Sequence, residues 1–230
     1  MRQKLVIAPS VLSLDYARVS EQLADLNKTR AEWMHFDVMD GHFVPNLTFG
    51  PDILKGFKKA VDMVMDVHIM VSDPKFYAPI FIKAGADIVT FHYEAVASIK
   101  ECVALCRTIR SLGAKAGVSV RPKTPIDEIL PYLHEMDVFL IMSVEPGFGG
   151  QSFMEDQLDK VRKLRSYIDA HELNVRIEID GGINAKTAKQ AIEAGCDTLV
   201  AGSYVFKQDV HEAARRSITA ARLRVIGLLR

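Results

Sequence analysis

His35, Asp37, His68 and Asp180 are the residues of this sequence whose types and spacing could do chemistry together. Trp33 to Met39 is apolar and aromatic apart from His35 and Asp37, which predicts a strand ending in an Asp40-Gly41 turn. Successive strand side chains point to opposite faces, so His35, Asp37 and Met39 share one face while Phe36 and Val38 take the other. The same alternation in Asp66-Val67-His68-Ile69-Met70 puts Asp66, His68 and Met70 on one face, and Glu178-Ile179-Asp180 ends a further strand on Asp180, just before Gly181 and Gly182. Burying such groups unpaired costs roughly 1–3 kcal/mol each or more. A metal ion answers that cost, because two His and two carboxylates form a four-coordinate set for one divalent ion, Zn²⁺, Fe²⁺, Mn²⁺ or Co²⁺. Taken singly, an inward His is more often a hydrogen-bonded core residue and a terminal Asp a turn residue. Their gathering at three strand ends is what favours a site.

A second cluster is rich in glycine. Val144-Glu145-Pro146-Gly147-Phe148-Gly149-Gly150-Gln151 follows one strand, Gly181 and Gly182 follow the next, and Gly202-Ser203 follows the last. Glycine lets backbone N–H groups wrap an anion, so three such clusters on consecutive late strands predict phosphate binding; a flexible lid or plain turns are the bland alternative. Gly147-x-Gly149-Gly150 is neither the dinucleotide fingerprint nor a Walker loop. Met39, Met70 and Met142, also near strand ends, are either core filling or an apolar wall beside a reacting carbon. Ser10 either bonds substrate or caps a loop. His92 and Glu94 read as supporting residues, His42 and Asn46 lie in a long loop able to close the site, and His134, His171 and His211 read as surface residues.

Eight strand–helix units must position these groups. Strands are predicted over 6–12, 33–39, 63–71, 87–92, 115–120, 138–144, 176–180 and 198–201, and helices over 15–27, 52–60, 74–84, 97–112, 126–133, 155–170, 185–194 and 210–222. Strict alternation implies parallel strands with helical crossovers, and eight units favour closure into an α/β fold, a single (β/α)8 TIM barrel, with a doubly wound open sheet as runner-up. No linker-like composition divides the chain, so one catalytic domain over 1–230 is expected. In either architecture the ligand site lies beyond the C-terminal strand ends.

Composition narrows the partners. Lys+Arg 29 balances Asp+Glu 29, which gives no reason to expect nucleic acid or an anionic membrane and leaves a small molecule as the default ligand. Arg2 and Lys4 before an apolar 5–8 run imitate a secretory leader, but Pro9, Ser10, Ser13 and Asp15 cut it short, so a first strand and a cytoplasmic protein are expected. No apolar run approaches the roughly 18 residues of a membrane span. Cys102, Cys106 and Cys196 lack metal-type spacing and read as buried reduced thiols.

A divalent ion beside a phosphate pocket suggests chemistry on a phosphorylated carbonyl compound. Lys115 opens its strand and Lys123 lies in a loop, which argues against a Schiff-base aldolase. A chelated carbonyl and its neighbouring hydroxyl would be stabilised as an enediolate. Two carboxylates flanking that plane could remove a proton on one face and return one on the other, giving an epimer.

Four stretches carry a resemblance: 35–46, from His35-Phe36-Asp37 to Val44-Pro45-Asn46; Asp66-Val67-His68-Ile69-Met70; 144–151; and Asp180-Gly181-Gly182-Ile183. Together they resemble the signatures of the ribulose-phosphate 3-epimerase family, and the likeness runs from Ala8-Pro9-Ser10 to Ala201-Gly202-Ser203. It implies interconversion of D-ribulose 5-phosphate and D-xylulose 5-phosphate in the pentose phosphate pathway. Asp37 and Asp180 would be the acid/base pair and, with His35 and His68, the metal ligands. The resemblance further implies substrate contacts from Ser10, His68, the three methionines and Phe148, a phosphate grip from Gly147, Gly149, Gly150, Gly181, Gly182, Gly202 and Ser203, and a homo-oligomer. Lys28-Thr29-Arg30 departs from the family's usual Ala-Gly helix stop without touching the chemistry. The rivals are a 3-epimerase of a six-carbon ketose phosphate such as allulose 6-phosphate and a metal-free phosphosugar-binding barrel.

Overall fold

A computed structural model of the chain describes residues 3–29 and 31–206. Eight parallel strands run β1 (Val6–Pro9), β2 (Trp33–Met39), β3 (Val64–Met70), β4 (Ile88–His92), β5 (Lys115–Val120), β6 (Val138–Met142), β7 (Arg176–Asp180) and β8 (Thr198–Ala201). Their order in the sheet is β1-β8-β7-β6-β5-β4-β3-β2. An isolated parallel bridge from Ser10 to His35 brings β1 against β2 and rounds the sheet into the predicted (β/α)8 barrel. The helices are α1 (Val19–Leu26), α2 (Pro51–Ala60), α3 (Pro74–Ala84), α4 (Ile99–Ser111), α5 (Leu158–Ala170), α6 (Ala185–Ala194) and α7 (Ser203–Phe206).

Strand alternation sorts the side chains. Met34, Phe36 and Val38 face outward into the main apolar cluster, beside Leu54 and Phe57 of α2. Fully burying a side chain such as Phe36 stabilises the fold by roughly 1.5–3 kcal/mol. On the inner face of β2 the residues change from the barrel floor to its mouth. Trp33 packs with Val6, Ala8, Ile88, Val138 and Val200 in a separate apolar plug, and Met39 packs with Val44 and Met70 at the mouth. His35 and Asp37 are sandwiched between these two layers. In register, His35 pairs with Asp66 and Asp37 with His68, so the polar residues of β2 and β3 lie side by side.

Several predicted bounds are corrected. β1 stops at Pro9 rather than at 12, because the Ser10 side chain takes the Leu12 N–H at 3.3 Å and caps a 3-10 turn over Val11–Ser13. α1 starts at Val19 rather than at 15, since Asp15 closes its own turn by accepting the Ala17 N–H at 3.1 Å. The helix expected over 126–133 is a 3-10 segment, Leu130–Glu135, with a proline in its first turn. β6 ends at Met142, and the chain then turns so that Ser143 bonds the β7 end. The helix predicted over 210–222, with His211, lies outside the described residues. Cys102, Cys106 and Cys196 are buried and free. Among the described residues no helix is long and apolar enough to cross a membrane.

Candidate active site

One cleft at the C-terminal ends of the strands gathers the predicted groups. Ser10, Asp37, Met39 and Met70 line it from the β1–β3 side, and Met142 and Asp180 from β6 and β7. Gly147, Phe148, Gly149 and Gly150 enter from the loop after β6, joined by Gly181, Gly182, Gly202 and Ser203 from the ends of β7 and β8. His35 and His68 lie next to Asp37, wholly buried. Phe148 is 55% exposed at the mouth, which suits a flap more than a wall.

At the centre stands Asp37. Its Oδ2 accepts a 2.7 Å hydrogen bond from the Ser10 hydroxyl, and its Oδ1 lies 3.3 Å from His35 Nε2 and 3.4 Å from His68 Nδ1. Those two imidazole nitrogens are buried without a hydrogen-bond partner. Donor atoms from His35, Asp37, His68 and Asp180 all lie within 4.8 Å of one another. Two unpartnered imidazole nitrogens converging with carboxylate oxygens fit the nitrogen- and oxygen-preferring divalent ions.

The two carboxylates have opposite electrostatics. Burial alone would raise Asp37, but the neighbouring His35 ring, whose charge is the largest opposing influence, overcomes it and holds the carboxyl well below the usual range. Burial, reinforced by the charge of Asp37, pushes Asp180 up to about 7. Burial also disfavours charge on His35, yet Asp37 and Asp66 outweigh it and raise that ring well above its ordinary value. Near neutral pH the site therefore pairs an ionised carboxylate with one that readily carries a proton.

Two buried carboxyls escaped the sequence-based site. Asp66 Oδ2 lies 2.6 Å from His35 Nδ1, and Glu178 Oε1 lies 3.7 Å from the same nitrogen. Burial and the Asp66 charge raise Glu178, which lies beneath the site, well above the carboxylate range. A signal was available: Asp66 and Glu178 stand two residues before His68 and Asp180 and so point into the barrel one layer deeper. His92 and Glu94 do support the site, with His92 Nε2 2.9 Å from His68 Nε2 and His92 Nδ1 3.2 Å from Glu94 Oε2. Burial lowers His92 to about 4 despite Glu94, which keeps the ring neutral, while burial of Glu94 is overcome by its hydrogen bonds, lowering it to about 2.

The loops are tied across the mouth. Asn46 Nδ2 donates to the Gly147 carbonyl at 2.8 Å, joining the long loop after β2 to the glycine loop after β6. Positive φ at Gly147 (125°) and Gly150 (78°) makes that loop one that L side chains would strain. The Ser143 backbone N–H donates to the Asp180 carbonyl at 2.7 Å, and its hydroxyl lies 2.8 Å from the carbonyls of Asp180 and Gly181 with one proton to share between them, fixing the end of β7. His42 sits away from the cleft, exposed and 3.0 Å from the Asp40 carbonyl, and His134 and His171 are exposed surface residues.

Comparison with known proteins gives a consistent set. The description "Ribulose-phosphate 3 epimerase family" matches residues 6–206. The ribulose-phosphate 3-epimerase of Mycobacterium tuberculosis is 49% identical over 222 residues, covering 95% of each chain. That of Bacillus subtilis is 41% identical over 217 residues, covering 94% of this chain and 99% of its own. Among solved structures, the 3-hexulose-6-phosphate synthase of Salmonella typhimurium superposes with a TM-score of 0.66 over 98% of both chains at 17% identity, a likeness of fold alone.

Proposed function

The chain belongs to the ribulose-phosphate 3-epimerase family and is an isomerase of that kind; we propose that it interconverts D-ribulose 5-phosphate and D-xylulose 5-phosphate by proton transfer at C3 between Asp37 and Asp180. One observation carries this reading. Two carboxylates with opposite proton affinities meet two unpartnered imidazole nitrogens in one cleft.

Ionised Asp37, oriented by the Ser10 hydroxyl, takes the C3 proton of one epimer. Protonated Asp180 returns a proton to the opposite face of the planar enediolate, and the roles exchange in the reverse direction. His35, Asp37, His68 and Asp180 would hold one divalent ion, Zn²⁺, Fe²⁺, Mn²⁺ or Co²⁺, which supplies Lewis-acid stabilisation of negative charge on the substrate oxygens. Met39, Met70 and Met142 keep water from the reacting carbon. The glycines of the last three strand ends, with Ser203, take the phosphate, while Phe148 flanks the bound sugar.

The same reading includes a single domain over 1–230, a cytoplasmic homo-oligomer and, from the balanced charge, no nucleic-acid or membrane partner. Light scattering on the purified protein checks the assembly. For the substrate, kcat/KM on ribulose 5-phosphate should exceed that on a six-carbon ketose phosphate such as allulose 6-phosphate. A clear preference for the six-carbon sugar would overturn the assignment.

A further inference from the structure

We infer that Glu94 is a positioning residue that acts through His92 to fix which nitrogen of His68 is left bare for the metal. This rests on the four-ligand reading above and extends it outward by two residues. The chain of contacts runs from His68 Nε2 to His92 Nε2 at 2.9 Å, and from His92 Nδ1 to Glu94 Oε2 at 3.2 Å. Both rings are wholly buried, so solvent does not set their protons.

A carboxylate stands at each end of this chain, but only the far one is hydrogen-bonded to it. His92 Nδ1 bonds Glu94, whereas His68 Nδ1, 3.4 Å from Asp37 Oδ1, makes no hydrogen bond, so the direction follows from Glu94. A carboxylate only accepts hydrogen bonds, so the proton of the neutral His92 ring sits on Nδ1 and is donated to Glu94. His92 Nε2 is then an acceptor, and the facing His68 Nε2 must carry the proton between them. A neutral His68 protonated at Nε2 has a bare Nδ1. That atom is the one the structure leaves without a partner, 3.4 Å from Asp37 Oδ1.

Glu94 is itself held in orientation. Its other oxygen, Oε1, accepts the Arg121 backbone N–H at 2.7 Å and also the Thr124 hydroxyl. The Arg121 side chain reaches back, donating to the Phe43 carbonyl at 2.8 Å with its guanidinium 4.4 Å above the Phe43 ring. Phe43 in turn lies 4.9 Å from the His92 ring. The long loop after β2 thus packs on the middle member of the relay.

Glu94→Gln turns this into a sharp test. Two donors hold the Oε1 position, so the new amide keeps its oxygen there and turns its NH₂ toward His92 Nδ1. Both rings must then exchange tautomers, and His68 Nδ1 becomes protonated where a metal needs it bare. Long-range ¹⁵N–¹H spectra of the metal-free protein read this directly. The wild type should show His68 protonated at Nε2 and His92 at Nδ1, and Glu94→Gln should show both reversed. Mn²⁺ affinity, measured by competition with a chelator, should fall by about 10–100-fold in the variant. Identical tautomers in the two proteins would overturn the relay, as would a wild-type His68 protonated at Nδ1, which decides the matter even if the variant fails to fold. Reversed tautomers with unchanged Mn²⁺ affinity would uphold the relay and contradict the four-ligand reading instead.

Discussion

The Ser10 hydroxyl donates to Asp37 Oδ2 at 2.7 Å, beside the bridge from Ser10 to His35 that brings the first and second strands together. The contact that rounds the barrel therefore also aims its central carboxylate. A hydrogen bond to a charged group is worth roughly 1.5–3 kcal/mol. Ser10→Ala should lower kcat by about 10–100-fold, a range set by that energy. Steady-state kinetics check it, and an unchanged kcat would remove Ser10 from the acid/base machinery.

Metal removal should abolish turnover. Exhaustive chelation is expected to inactivate the protein and lower its melting temperature, because an ion that binds only the folded state stabilises it by mass action. Adding back Mn²⁺, Co²⁺, Zn²⁺ or Fe²⁺ should restore both, and elemental analysis of protein purified without added metal should find one ion per chain. Full activity after chelation would leave the metal-free phosphosugar-binding barrel as the better description.

The pH dependence of the metal-free form has a definite sign. Burial, then the charge of Asp37, puts the folded-state Asp180 at about 7, above the roughly 3.9 of an unfolded chain. Its contribution to stability is therefore full below the unfolded value and lost as pH rises through about 7. Asp180→Asn cannot ionise. Urea unfolding of the two metal-free proteins should show the wild type losing ground to the variant as pH rises from acid to neutral. A stability gap independent of pH would show that Asp180 keeps an ordinary carboxyl.

Two glycines at the cleft should respond differently. A Cβ on Gly182 would lie 2.6 Å from the Phe153 backbone nitrogen at a φ of +61°, so Gly182→Ala should lower the melting temperature by several degrees. At Gly202 the nearest atom to an added Cβ is the Ser13 hydroxyl oxygen at 2.6 Å, which can rotate away. Gly202→Ala should therefore fold and raise KM more than it lowers kcat. A normal KM would place the phosphate elsewhere in the cleft.

The sequence made the inner face of the barrel legible because strand alternation has period two. His35, Asp37, His68 and Asp180 follow from that period and from the turns after their strands. Asp66 and Glu178 obey the same period, but a carboxyl one layer deeper looks the same in sequence whether it holds a ligand or fills a core. The link from His92 to His68 was hidden for another reason: it depends on the facing of two rings from neighbouring strands, which no spacing encodes. The misplaced ends of the first strand and helix trace to Ser10 and Asp15, whose side chains bond the backbone and compete with regular structure.

The central claim is that Asp37 and Asp180 serve opposite faces of C3. Incubation of each sugar phosphate in D₂O, with wild type, Asp37→Asn and Asp180→Asn, measures it directly through deuterium appearing at C3. The wild type should exchange from both epimers. Each variant should lose epimerisation by about 10²–10⁴-fold, and each should keep residual exchange with only one epimer, a different one for each variant. Equal exchange with both epimers in either variant would contradict the assignment of one carboxylate to each face.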